Sequence, residues 1–241
     1  MRRLVGALIV LLVTCLPFEA RHLLVRGTAV RVIESMQANN LESGRAALNR
    51  EHDWDLLIAL AKGDKAVLQR LLDVQFVNHY EDDSNVSYPE NLAAVRKLLA
   101  AGVKPTYLNL VESVEQGKIA TAWLFLESGC PTEGRDSSAL SNAAYQGDLR
   151  LVKELIQRGA SVNKIPTIGV ANRPLLHAAW ACNIEVVEFL LVEGADPYLT
   201  CENWEKKPEP IWVTVRERAR VYKGDHQHVW EVLQAYLEHH P

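Results

Sequence analysis

The chain of 241 residues has little of what announces most kinds of chemistry. Its four cysteines, Cys15, Cys130, Cys182 and Cys201, stand far apart, with no CxxC or Cys/His ligand spacing. That excludes the common zinc modules and a densely stapled scaffold, and leaves open one disulfide among Cys130, Cys182 and Cys201. Base is not in excess: 26 Lys and Arg stand against 30 Asp and Glu, for a net charge of -4. Nucleic acid demands a basic field, so it is not the expected partner. The local exception, Lys206 to Lys223 with Arg216, Arg218 and Arg220, reads as a solvated helix face. G-x-S-x-G, H-E-x-x-H, a phosphate-cradling glycine loop and a Cys/His dyad in a familiar setting are all missing. His226-x-His228 and His239-His240 are the histidine clusters, in and after the last amphipathic stretch, where exposure is the default. Glu81-Asp82-Asp83 lacks EF-hand spacing and reads as a solvated loop. No catalytic residue, metal or cofactor is therefore expected. A metal-dependent hydrolase built on the C-terminal histidines is carried as the third functional alternative.

Long hydrophobic runs are also missing, with one exception. After Met1-Arg2-Arg3, the stretch Leu4 to Phe18 carries no charge. It has the length of a signal peptide and falls short of the roughly 20 residues of a bilayer span. Residues 1–20 are read as a signal peptide or N-terminal membrane anchor, helical and apolar on every face. Leu12-Val13-Thr14-Cys15 resembles a bacterial lipoprotein box, with Thr14 where Gly, Ala or Ser is usual, and would make Cys15 a lipidation site. If the segment is an uncleaved anchor, Arg2 and Arg3 stay in the cytoplasm and the body lies outside. Residues 21–50 read as a helix followed by a polar linker.

What the chain does have is a repeat. Ser138-Ala139-Leu140-Ser141-Asn142-Ala143-Ala144-Tyr145-Gln146-Gly147-Asp148 leads to Leu151-Val152, Leu155-Ile156 and Gly159-Ala160. The pattern returns 35 residues on, with Arg173-Pro174-Leu175-Leu176-His177-Ala178-Ala179-Trp180-Ala181-Cys182-Asn183, then Val186-Val187, Leu190-Leu191 and Gly194-Ala195-Asp196. Weaker copies centre on Gly63, on Ala94-Val95 with Gly102, on Gly117 with Gly129, and on Gly224. Small alanine pairs let neighbouring helices approach, apolar doublets fill the seam, and glycines end helices in a left-handed cap. One such unit cannot bury its own apolar face, so neighbours must do it. The expected core is Leu56, Leu60, Leu71, Leu98, Leu126, Leu140, Leu155, Leu175 and Leu190.

This pattern resembles the ankyrin repeat. The departures are Leu176 and Ser141 where the family has histidine, with His177 one place later, and Cys182 in place of the glycine between helices. The resemblance implies an all-α solenoid of five to six helix-pair units over residues 51–241, clearest over 137–163 and 171–197. It also implies binding of another protein through the exposed side of each first helix and the turn tips, and no catalysis. On that side Asn142, Tyr145, Gln146, Asn172, Arg173, His177, Trp180 and Trp204 are the candidate partner-binding residues, with Glu115-Gln116 in the weaker unit upstream. Tyr and Trp suit an interface because each brings large rigid area with a polar handle. The long connections Lys164 to Asn172 and Tyr198 to Pro210 are places where recognition is common. The leader adds the expectation of a bacterial envelope protein, on the periplasmic side, touching the membrane through its N-terminal segment only. Its partner is then an envelope or secreted protein. The function read from this is an inhibitor or immunity protein for a secreted toxin or lipase, or an adaptor holding an envelope enzyme at the membrane.

Overall fold

Helices of nine residues recur along the chain, and each is too short to be stable alone in water. The computed structural model describes residues 30–34, 37–38, 57–58, 61, 63–73, 92–132, 138–163, 173–202 and 208–240. The leader with Cys15, core positions Leu56 and Leu60, the acidic run at 81–83, the connection 164–172 with Asn172, and Trp204 lie outside them. Among the described residues no helix is long and apolar enough to cross a membrane.

The chain divides into two compact units, the first ending at Lys104 and the second continuing from Pro105. In the first, α1 (Lys65–Asp73) packs against α2 (Leu92–Ala100). Asp64 caps α1, accepting from the backbone N–H of Ala66 at 2.9 Å. Leu68, Leu71 and Leu72 of α1 and Ala94, Val95 and Leu98 of α2 are buried.

The second unit holds four helix pairs: α3 (Tyr107–Glu115) with α4 (Ile119–Glu127), α5 (Ser138–Gln146) with α6 (Leu149–Gln157), α7 (Pro174–Trp180) with α8 (Ile184–Val192), and α9 (Ile211–Tyr222) with α10 (Asp225–His239). First helices pack side by side, α3 on α5, α5 on α7 and α7 on α9. Second helices form their own row, α6 on α8 and α8 on α10. Ala143, Ala144, Ala178 and Ala179 are buried in the first row, where a larger side chain would hold the helices apart. Leu71, Leu98, Leu126, Leu140, Leu155, Leu175 and Leu190 are all buried, as the periodicity requires.

Helix ends follow one rule. In the three pairs from α3 to α8 the backbone turns left-handed just past each helix, at Gly117, Gly147 and Cys182 after first helices and at Gly129, Gly159 and Gly194 after second ones. Two backbone bonds then close each end, as in Gly147 N–H to the Ala144 carbonyl at 3.3 Å and Asp148 N–H to the Ala143 carbonyl at 3.2 Å. Cys182 is the only non-glycine of that set, at φ 58°. Between α8 and α9 the lengthened connection contains a short antiparallel pair, β1 (Thr200–Glu202) with β2 (Pro208–Pro210), with Cys201 facing Glu209.

Glycine at these ends has a measurable value. A Cβ on Gly159 meets nothing within 4 Å, so Gly159→Ala carries only the left-handed strain, about 1–2 kcal/mol. A Cβ on Gly147 falls 2.7 Å from Oδ1 of Asn183, whose amide donates to the carbonyls of Ala144 (2.9 Å) and Tyr145 (2.7 Å). Gly147→Ala should cost roughly 1 kcal/mol more than Gly159→Ala, through loss of those bonds. Urea denaturation of the two variants side by side checks it, and equal midpoints would refute the Asn183 bridge.

Candidate functional site

Two consecutive alanines at the end of a first helix face its neighbours, so the next residue points away from the buried row. That geometry puts Tyr145 of α5 in solvent at 56% exposure and leaves Trp180 of α7 half-buried. The rings connect from one helix pair to the next. Tyr145 meets His177 edge-on, with centroids 6.0 Å apart and planes at 69°. His177 stacks on Trp180 at 5.7 Å and 23°. The Arg218 guanidinium of α9 lies 5.8 Å over the Trp180 ring and 5.1 Å over that of Tyr222. Tyr222, 58% exposed, approaches the His226 ring at 5.4 Å. These separations are those at which aromatic pairs and cation–ring contacts stabilise. The result is one ladder of rings across three successive helix pairs.

His226 sets the far end. Arg218 Nε–H donates to His226 Nε2 at 3.0 Å, so the proton of the neutral ring sits on Nδ1. Nδ1 faces Cys182 Sγ at 3.1 Å and donates to it. Burial first, and then Arg218, lower the His226 pKa, with Asp225 pulling the other way. The Cys182 thiol is pushed up by burial and by Asp225, against Arg218. Cys130 is pushed up to about 11 by burial, and burial likewise leads the upward shift of Cys201. All three are free thiols, which removes the disulfide the sequence left open. Among the described residues no three His, Cys, Asp or Glu side chains converge as a metal site. His239 and His240 instead turn Nδ1 back to the carbonyls of Ala235 (2.8 Å) and Tyr236 (3.0 Å) on their own helix.

Of the sequence-predicted residues, Tyr145, His177 and Trp180 come together in the ladder. Asn142 is half-buried on α5. Gln146 is exposed, yet its Nε2 donates to the Val114 carbonyl at the end of α3, which makes it a tie between layers. Glu115 is exposed and Gln116 half-buried at that same helix end. Arg173 requires a correction: it is only 4% exposed, so it is not on the exposed side expected to meet a partner. Its Nε–H donates to the Thr200 carbonyl at 2.9 Å and an NH1 hydrogen to that of Asn163 at 3.3 Å, so it pins β1 and the end of the preceding turn. Sequence reasoning missed Arg218, Tyr222, Cys182 and His226. It read the arginines of 216–220 as a solvated face and His226 as an exposed histidine. The one available signal was the substitution of cysteine for the turn glycine at position 182.

Residues 87–201 match the family model for ankyrin repeats (3 copies). The chain is also similar to the "Ankyrin repeat, SAM and basic leucine zipper domain-containing protein 1" of Rhinolophus ferrumequinum, 32% identical over 120 residues. That alignment takes in 50% of this chain and 23% of the relative, so the likeness spans less than a quarter of that protein.

The His226 arrangement has a pH consequence. A folded pKa below the ordinary 6.5 means the unfolded chain binds the proton more readily. The stability it contributes is complete above 6.5 and is lost as pH falls through the lower folded value, when the protonated ring can no longer accept from Arg218. Urea midpoints followed downward from neutral pH should therefore fall more steeply in the natural chain than in His226→Gln. Parallel curves for the two would contradict this.

Proposed function

Because this chain is an ankyrin-repeat protein, we propose that it is a non-catalytic binding module that holds another protein along the ladder from Tyr145 to Tyr222. The observation that carries this reading is the continuity of the ladder, in which each ring or guanidinium contacts the next from α5 through α7 to α9. Rings held by one another lose little freedom on binding and offer rigid area, the composition from which interface hot spots are made. Both ends of the ladder are exposed, and the rings between them are half-buried in the manner of an anchor floor.

The uncharged run Leu4 to Phe18 supports the cellular half of the proposal. In this reading the segment brings the module to a membrane, as a retained anchor or through lipid on Cys15, and the body meets an envelope or secreted partner on the periplasmic side. The specific form proposed is inhibition of a secreted toxin or lipase, an immunity role. The same run also favours an adaptor that keeps an envelope enzyme near the membrane while leaving it active, and an activity assay on the bound partner separates the two.

Tyr145→Ala together with Trp180→Ala should abolish partner capture while the far-ultraviolet helical signal persists. Each ring is expected to contribute about 2 kcal/mol, or roughly 30-fold in affinity. Tyr145→Ala alone, at a side chain more than half exposed, should weaken capture with little change in the urea midpoint. Retention of the partner by the double variant would place the binding face elsewhere.

A further inference from the structure

We infer that Arg218 is the anchor of this face and that its ligand is a carboxylate, so that the partner presents an acidic segment to the ladder; this rests on the binding reading above. The argument begins with how the arginines of α9 are used. Arg216 and Arg220 both pair with Glu217, at 3.2 and 2.9 Å, and Arg216 also covers Trp212 at 5.1 Å. Arg218 has no carboxylate partner among the described residues. Its guanidinium carbon lies over the rings of Trp180 and Tyr222, and its Nε–H is committed to His226. What remains is the NH1–NH2 edge, the end of the fork that takes both oxygens of one carboxylate.

A second donor lies on the same strip. The Trp180 indole N–H is covered from solvent and donates to no protein acceptor among the described residues. A covered donor without an acceptor is costly, and an oxygen that displaces what covers it relieves that cost. The charge balance fits one carboxylate better than a phosphate. Phosphate recognition draws on clustered arginines, whereas here a single guanidinium is flanked by an imidazole and by uncharged rings, and the negative charge of Asp225 acts on that same imidazole. The chain as a whole is acidic, at -4, so long-range steering does not bring the ligand in. Recognition comes from the oriented fork at short range. His226 acts as a positioning residue, since it accepts the Arg218 Nε–H and so helps fix the guanidinium over the rings.

The probe is a hexaglutamate peptide with blocked ends, compared with hexaglutamine, inorganic phosphate and phosphatidylserine vesicles. The natural full chain is observed by the Arg218 Nε–H and Trp180 indole N–H resonances. Hexaglutamate should shift both, hexaglutamine neither. Arg218→Gln should weaken the peptide about tenfold or more, and Arg218→Lys nearly as much because the fork is lost, whereas Arg220→Gln changes it less than about twofold. Two variants of unlike chemistry keep the test decisive if one of them folds poorly. The proposal is overturned if hexaglutamate moves neither resonance, if Arg218→Lys binds as the natural chain does, or if phosphate or the vesicles displace the peptide at lower concentration. The partner captured by the natural chain then separates the two levels. Loss in the Tyr145/Trp180 double variant with full retention in Arg218→Gln overturns the carboxylate and leaves the binding face standing, while retention in both overturns the binding face itself.

Discussion

A helix of nine residues has nearly as many backbone groups at its ends as in its middle, and every feature of this fold answers that fact. The left-handed residue past each helix lets two backbone N–H groups return to the last turn, as at Gly117, Gly147, Gly159 and Gly194. Side chains one layer away take the carbonyls that remain. Gln146 reaches Val114, Arg158 reaches Leu126 at 2.7 Å, and Asn183 reaches both Ala144 and Tyr145. Asn163 closes the same kind of bridge in both directions, donating to the Gly194 carbonyl at 2.7 Å and accepting from Asp196 N–H at 2.9 Å. Helix ends are thus completed by the next layer, which is why layers and not helices are the stable unit.

The proposed binding face inherits its order from these ends. Tyr145 and Trp180 each follow the alanine pair by one residue and precede the turn, so both stand where a helix stops and its neighbour begins. The backbone carbonyl of Tyr145 is held by Asn183, while the Tyr145 ring lies against His177. The same contacts that satisfy the backbone therefore fix the spacing of the rings. A ladder of this sort needs no loop to order on binding, which keeps the entropic cost of association low.

Much of the fold was legible because it is periodic. Ala143-Ala144 and Ala178-Ala179, the doublets from Leu151 to Leu191, and the turn glycines each state a local requirement that a string of letters can carry. The outer copies were harder, since Ile211, Val215 and Ala219 of α9 bury an i, i+4, i+8 stripe with none of the repeat's punctuation. Of the site, Tyr145, His177 and Trp180 were legible as the residues beside the alanine pair. Arg173 was not, because its burial depends on the Thr200 carbonyl 27 residues away and on the hairpin that presents it. Nor were Arg218 and His226, whose roles depend on a thiol 44 residues from the imidazole. Composition says that a stretch is basic; only the packing of α9 against α7 says which guanidinium lies on the Trp180 ring.

Cys182 shows how a break in a repeat can be read as chemistry. Glycine belongs at that turn, and an L-residue at φ 58° carries strain that the fold must offset. The offset is visible in the Sγ contact with His226, which in turn holds Arg218. A cysteine beside a histidine suggests a nucleophile and its base, but the geometry points to another use. The thiol is pushed up rather than down, and both ring nitrogens are engaged, Nε2 by Arg218 and Nδ1 by the sulfur. A base must have a free lone pair facing its proton donor. An imidazole committed at both ends instead transmits position, from the strained turn at Cys182 through the ring to the guanidinium. The departure from the repeat is then the first link of the proposed anchor.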